Sequence, residues 1–494
     1  MMNQNAFANA ARIAASVTYT ENGHAAASTT GSALLDLYGQ AGALRGQDER
    51  RIIELLDRAI AEDRLLATKI MFYARDCRGG TGEREVFRTM LKHMAKVKPG
   101  AVIENLELIP KFGRWDDLYS LVGTPAEKYM WDFMQIQLFR DIRDMSEGKS
   151  ISLMAKWLKS CNASSADTRM LGRLTREHLG YSEKEYRKVL KRLRDHIRIV
   201  ESQMSRNEWD KIDYEKVPSR AGMIYQEAFK KHDEERYNEY IDSVLNGEKK
   251  INTSMNTPQD LVHAYVKGVT PARTEDPTIE AMWNNLPDYI QSDENVLCMV
   301  DTSGSMYGRP IEIAAGLGMY FAQRNTGAFH NLFMTFQSVP SFVSLDDGVS
   351  MLANLSKTWY APWGGSTDLN RACEAMLDMA EWKDVPQKDM PTRLVIISDM
   401  EIDEAAGRSK DILHADELRE MYERAGYRMP QVIYWNVESR HSHFQTRCDI
   451  PGTMLASGSS PRVFEAVMQM KDCQVTPYDA MLEVLNGDRY KEVK

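Results

Sequence analysis

The sequence predicts an α + α/β protein: an all-helical N-terminal half followed by a doubly wound α/β domain. Three observations lead there. Up to residue 266 apolar residues recur at three- and four-residue steps, the period of helices with one buried face. From Asn295 onward, short continuous apolar runs alternate with helical segments, as in a parallel sheet covered on both sides. Finally, 494 residues are too many for one ordinary core, so more than one domain is expected.

Residues 1–31 are rich in Ala, Thr, Asn and Gly with little periodicity, and predict a flexible N-terminal arm. Residues 32–266 predict a helical-repeat domain. Ala33-Leu34-Leu35-Asp36-Leu37-Tyr38, Ile52-Ile53-Glu54-Leu55-Leu56 and Leu65 to Tyr73 are its first amphipathic segments. Breaks fall at Gly39-Gln40-Ala41-Gly42, Arg78-Gly79-Gly80-Thr81-Gly82, Lys98-Pro99-Gly100 and Gly123-Thr124-Pro125. Short helices joined in pairs by short turns suggest a solenoid or ring of the HEAT kind, although no residue-level repeat is visible. Tyr186 to Met204 reads as one long amphipathic helix, with Val189, Leu190, Leu193, Ile197 and Val200 on one side. Residues 267–293, with Pro271, Pro277 and Pro287, read as a linker.

Residues 294–494 predict the α/β domain. Val296 to Val300 is a buried strand ending at Asp301, and helix Ile311 to Arg324 follows. Leu332 to Phe336 and Ser341 to Leu345 form two strands joined at Ser338-Val339-Pro340. Helix Leu369 to Met379 precedes strand Leu394 to Ser398, which ends at Asp399. Helix 411–425, strand Gln431 to Trp435, strand Thr453 to Ser457 and helix Pro461 to Met470 complete it. Ligands of such sheets bind beyond the strand ends where strand order reverses. Asp301 and Asp399, at the ends of the domain's first and fourth strands, flank that point in the common order.

Bulk composition narrows the function classes. With 43% hydrophobic and 27% charged residues the chain is a soluble globular type, and no apolar run approaches the ~20 residues that span a bilayer. The N-terminus lacks a basic region followed by an apolar stretch, which argues against a secretory signal. Cys77, Cys161, Cys298, Cys373, Cys448 and Cys473 are scattered without a CxxC pair, which argues against a zinc site or disulfide scaffold and fits a reducing cytoplasm. The net charge of −9 excludes a polycation. Residues 151–200, however, hold 12 Lys or Arg against 5 Asp or Glu, either a face for polyanions or a solvated helical face. No GxxxxGK[ST], GxSxG or HExxH pattern supports nucleotide hydrolysis or the commonest hydrolase chemistries.

Asp301-Thr302-Ser303-Gly304-Ser305, Thr367 within Gly364-Gly365-Ser366-Thr367-Asp368, and Asp399 together offer two carboxylates and three hydroxyls. That hard, all-oxygen set of low charge suits Mg²⁺ or another divalent cation and leaves room for water or a partner's carboxylate. It resembles the metal-ion-dependent adhesion site of von Willebrand factor A domains, with all five motif positions present: Asp301, Ser303, Ser305, Thr367 and Asp399. The resemblance implies a Rossmann-like binding module whose ion grips an acidic side chain of a protein partner. His441-Ser442-His443 has no further ligand nearby in sequence and reads as structural or exposed.

A helical solenoid ahead of such a domain resembles the layout of the Ro autoantigen, or TROVE-module, family, in a divergent bacterial or viral branch. Ala67 to Asp76, Arg78-Gly79-Gly80-Thr81-Gly82-Glu83-Arg84 and Gly113-Arg114-Trp115-Asp116-Asp117-Leu118 carry the resemblance. It implies a cytoplasmic, monomeric, non-enzymatic protein that binds noncoding or misfolded RNA and single-stranded RNA ends. Candidate RNA contacts are Arg75, Arg78, Arg84 and Arg88 around the Gly-rich turn; Lys156, Lys159, Arg169, Arg173 and Arg176; and Arg187, Lys188, Lys191, Arg192 and Arg194. Trp115, Trp157 and Trp209 read by default as packing residues. The alternative is a protein–protein adaptor that uses the metal site, for example with an AAA+ ATPase, and binds no RNA.

Overall fold

The computed structural model describes residues 15–266, 270–290, 295–326, 328–336, 340–361, 368–403, 413–469 and 475–494. It has the expected α + α/β architecture. The C-terminal sheet comprises β3 (Val296–Asp301), β4 (Leu332–Phe336), β5 (Ser341–Ser344), β6 (Arg393–Ser398), β7 (Gln431–Asn436) and β8 (Thr453–Ser457). Its order is β5-β4-β3-β6-β7-β8, parallel except for the β4–β5 hairpin. Every residue of β3, β6 and β7 is buried, which is why these strands read as continuous apolar runs rather than alternating ones. One face packs on helix Arg309–Arg324 through Val300, Leu317, Phe321 and Trp435. The other packs on helices Leu369–Trp382 and His414–Arg424 through Met299, Leu377, Ile396 and Leu418. The chain leaves β3 toward one edge and β6 toward the other, so strand order reverses between them, as the sequence placed it.

The helical half begins with helices Ala33–Gln40, Glu49–Glu62, Arg64–Arg75 and Arg84–Val97, around a core that includes Leu37, Leu56, Phe72 and Phe87. Local chemistry sets their ends. Ser32, Asp48 and Asp63 accept backbone N–H groups as N-caps, and Ser182 with Glu185 forms a capping box on helix Glu183–His196. Both ends of the helical array dock on the α/β domain. Helix Ala33–Gln40 approaches β8 so closely that a Cβ on Gly39 would lie 2.9 Å from Leu455 Cδ1, and Gly42 N donates to Ser457 Oγ at 2.9 Å. At the other end helix Pro258–Tyr265 lies on helix Arg309–Arg324, where Gln259 Nε2 donates to Glu312 Oε2 at 2.9 Å. Array and domain therefore form a closed circuit of packed elements.

Four expectations are corrected. Within the flexible arm expected over 1–31, residues 15–31 include an antiparallel hairpin of β1 (Val17–Tyr19) and β2 (Ala25–Ala27). It docks on the α/β domain through Thr20 Oγ1 on the Ile402 carbonyl and backbone pairing of Ala27 with Phe444. The linker expected over 267–293 contains helix Pro277–Asn284, with buried Ile279, Met282 and Trp283. Pro277 is the first residue of that helix, where its missing N–H costs nothing, so it starts structure rather than breaking it. The helix expected over 186–204 ends at His196, and Arg198 adopts a left-handed φ of 49° before a short helix over Val200–Ser205. The last residues of the α/β domain expected over 294–494 return to the other half, where Met481, Leu485, Tyr490 and Val493 complete the helical core. Asp76, buried below its helix, anchors them by accepting from Arg489 Nη2 at 2.6 Å and Tyr490 Oη at 3.1 Å. No helix among the described residues is long and apolar enough to cross a membrane.

Candidate functional sites

The first candidate site lies where β3 and β6 end. Asp301 is the last residue of β3 and is fully buried. Its Oδ1 accepts from Ser303 N at 2.9 Å and its Oδ2 from Ser398 Oγ at 2.5 Å, so the carboxylate fixes the turn that carries the serines. Ser303 Oγ and Ser305 Oγ lie 3.0 Å apart. Two oxygens in adjacent corners of an octahedral ion with bonds of ~2.1 Å are also about 3.0 Å apart, so the pair fits a magnesium-sized cation. Asp399 follows β6 with its side chain buried, and Glu401 N donates to its Oδ1 at 3.2 Å. Burial, and then Asp399 across the site, push the Asp301 carboxyl up to about 7. Burial also raises Asp399, against a hydrogen bond from Ser305 and the charge of Arg440. Two buried carboxylates of one sign are costly without a cation beside them, and Arg440 already supplies one to Asp399. Four of the five expected metal residues, Asp301, Ser303, Ser305 and Asp399, thus come together, while Thr367 lies outside the described residues. Among the described residues no group of three or more His, Cys, Asp or Glu could hold a metal ion.

Two residues at this site were not singled out from sequence. Ser398 was visible only as the last letter of a strand. Arg440, 41 positions beyond Asp399, donates from Nη2 to Asp399 Oδ2 at 2.5 Å. Nothing in its local sequence marks it. His443 and His441 do not gather as ligands; they pair with Glu401 and Glu21, each at 2.9 Å.

The second candidate site is a cavity of about 1080 Å³ in the helical half. Its walls carry eight basic side chains, Arg84, Arg114, Lys156, Arg187, Lys191, Arg194, Arg206 and Arg220, against two acidic ones, Asp195 and Glu201. Basic side chains dominate the wall in a chain of net charge −9. Six of the eight, however, already meet a carboxylate within 4.0 Å: Arg84 that of Glu85, Arg114 of Asp116, Lys156 of Glu201, Arg187 of Glu183, Arg206 of Asp195 and Arg220 of Asp260. Arg187 is 55% exposed, and Lys191 is exposed one helical turn further on. Arg114 stacks over the Trp157 ring at 4.1 Å while Asp116 holds its Nε and Nη2 at 2.9 and 3.0 Å. Trp157 is therefore a cavity wall with one face already covered by a guanidinium.

Of the fourteen expected RNA contacts, Arg84, Lys156, Arg187, Lys191 and Arg194 line this cavity. Arg75 is corrected outright: it is buried, and its Nε donates to Asp117 Oδ2 at 2.7 Å. Arg88 is mostly consumed by Asp116 and Asp117, at 3.0 and 2.7 Å. Arg169 ties down its own loop through the Ala163 and Ser164 carbonyls. Arg78, Lys159, Arg173, Arg176, Lys188 and Arg192 lie outside the cavity wall. Arg114, Arg206 and Arg220 were missed because they come from separate segments. Of the three tryptophans, Trp115 stacks on Phe133 and Trp209 on His232, as packing residues do.

Fold and sites define a class of protein: a helical array closed on itself by an α/β domain that carries a hydroxyl-rich acidic site at its switch point. Residues 20–141 and 154–295, more than half of the chain, match the family model described as Domain of unknown function (DUF2828), and the chain belongs to that family. Residues 295–492 match a second model, Domain of unknown function (DUF7788). An uncharacterized protein of Acanthamoeba polyphaga mimivirus is 28% identical over 95% of this chain and 87% of its own length. The crystal structure of the Deinococcus radiodurans RO (RSR) protein matches over 89% of this chain and 99% of that one, at 15% identity and a TM-score of 0.48.

Proposed function

We propose that this chain is a non-enzymatic RNA-binding protein of the Ro type. In this reading the basic cavity holds single-stranded ends of noncoding or misfolded RNA. The observation that carries it is the cavity wall, eight cationic side chains to two anionic ones inside an acidic protein. Guanidinium groups pair with phosphate in two-pronged geometry, and a basic channel retains a single strand with little sequence preference. Asp301, Ser303, Ser305, Asp399 and Thr367 would hold Mg²⁺, which supplies a charge able to grip a partner's carboxylate.

The test is binding of a labelled single-stranded RNA oligomer across a salt series. Wild type is compared with the triple variant Arg84→Gln, Arg187→Gln, Lys191→Gln. Each lost phosphate contact lowers the slope of log affinity against log salt by about 0.7, so the triple variant should lose about 2. An unchanged slope, or no binding by wild type, would sink the RNA reading.

One observation favours an adaptor without RNA. Tyr307, two residues beyond Ser305, is 73% exposed. An exposed aromatic beside an ion that grips carboxylates suits a protein interface. Wild type that ignores RNA at every salt concentration, yet loses a bound protein partner when Ser303 and Ser305 become Ala, would establish that reading instead.

A further inference from the structure

Arg440 stands where the divalent ion's influence should be greatest. Both oxygens of Asp301 are committed to Ser303 N and Ser398 Oγ. Asp399 Oδ1 takes Glu401 N, and its Oδ2 takes Arg440 Nη2 at 2.5 Å. Asp399, one of the two carboxylates an incoming cation would meet, is thus already paired with a cation. Arg440 is not fully satisfied there, since its Nε–H is buried without a partner among the described residues. A second carboxylate waits beside it: Glu21 Oε2 lies 3.6 Å from the same Nη2. Glu21 sits in the turn of the β1–β2 hairpin and is fixed in place. Its N–H donates to Glu401 Oε2 at 2.8 Å, Asn22 Nδ2 donates to the Glu401 carbonyl at 2.8 Å, and His441 Nε2 meets its Oε1 at 2.9 Å.

We propose that Arg440 is a resident cation which a divalent ion must displace from Asp399, and that Glu21 receives it. The inference rests on the divalent-ion site proposed above. A divalent ion and the guanidinium repel each other across Asp399, so ion binding weakens the guanidinium's hold and favours its release. A small swing of one side chain shortens the Arg440–Glu21 pair and strengthens the hold of the already docked N-terminal hairpin on the domain. Ion binding and hairpin docking then favour each other, and linkage makes that coupling reciprocal.

The test uses the full chain and Mn²⁺ alone as the probe, titrated calorimetrically at pH 8. Arg440→Gln should bind Mn²⁺ at least tenfold more tightly than wild type. Glu21→Gln should bind severalfold more weakly, and its effect should vanish in the double variant, because Glu21 acts through Arg440. Unchanged or weaker binding by Arg440→Gln overturns the proposal. An undiminished Glu21→Gln effect in the double variant overturns the transfer to Glu21. Hydrogen exchange on wild type needs no variant: amides of residues 17–27 should exchange more slowly with Mn²⁺, and unchanged exchange refutes the coupling. The site itself is checked separately with Ser303→Ala plus Ser305→Ala, which should abolish binding. If neither wild type nor Arg440→Gln takes up Mn²⁺, the divalent-ion reading fails and the displacement proposal with it.

Discussion

Replacing Asp117 by Ala should destabilise the helical half severely while leaving every strand of the sheet intact. Asp117 is fully buried in the short 3₁₀ segment Trp115–Leu121. Its carboxylate accepts from Arg75 Nε at 2.7 Å, Arg88 Nε at 2.7 Å and Arg114 N at 2.9 Å. The three donors do not suffer equally. Arg88 keeps Asp116 at 3.0 Å and reaches solvent, and the Arg114 amide is partly accessible. Arg75 has a side chain only 6% exposed and is left as an uncompensated buried charge. Breaking a buried pair by removing one partner costs about 3–5 kcal/mol, a large share of the ~5–15 kcal/mol that holds a typical domain together. The assay is urea unfolding followed by far-ultraviolet circular dichroism. Two companions separate the mechanism from simple truncation. Arg75→Met with Asp117→Leu removes both charges and should recover most of the loss. Gly113→Ala should reproduce it, because a Cβ there would collide with Asp117 Oδ2 and lie 2.8 Å from Arg75 Nε. Asp117→Ala within ~1 kcal/mol of wild type, or a double variant worse than the single, would refute the reasoning.

Other consequences follow from the same contacts. Asp116, which burial alone would raise, is held below its usual 3.8 by Arg114, Arg88 and Lys159. Its folded-state value is depressed, so its stabilisation is full above about pH 3.8 and is lost as pH falls through the lower value. Asp116→Asn should therefore be less stable at pH 7 and should flatten the acid limb of the stability curve, measured by unfolding at pH 2–5. Gly42→Ala should cost about 1–3 kcal/mol and loosen the first helix from β8, since its Cβ would overlap the Ser457 carbonyl; hydrogen exchange of residues 33–40 reports this. Deleting residues 477–494 should melt the helical half rather than the sheet, because it removes Met481, Leu485 and Tyr490 from the helical core and strips Asp76 of Arg489. Limited proteolysis of that variant should cut first within residues 33–121.

Some of this protein is written in single stretches of sequence. Buried parallel strands must be apolar on both faces, so β3 and β6 announce themselves, and the Asp that ends each falls at the sheet's switch point by topology alone. Caps such as Ser182 with Glu185 act within one turn and are equally legible. What sequence could not decide is the fate of each charge, because that depends on partners far along the chain. Arg75 and Arg187 are the same letter in the same kind of helix. One is locked inside against Asp117, and the other is exposed on the wall of a cavity. Arg440 reaches Asp399, Glu21 reaches Arg440, and the final helix leaves its own domain to finish another core. Local backbone preferences fix elements, whereas burial and charge pairing are settled only when the circuit of helices and sheet closes and each polar group must find a partner or water.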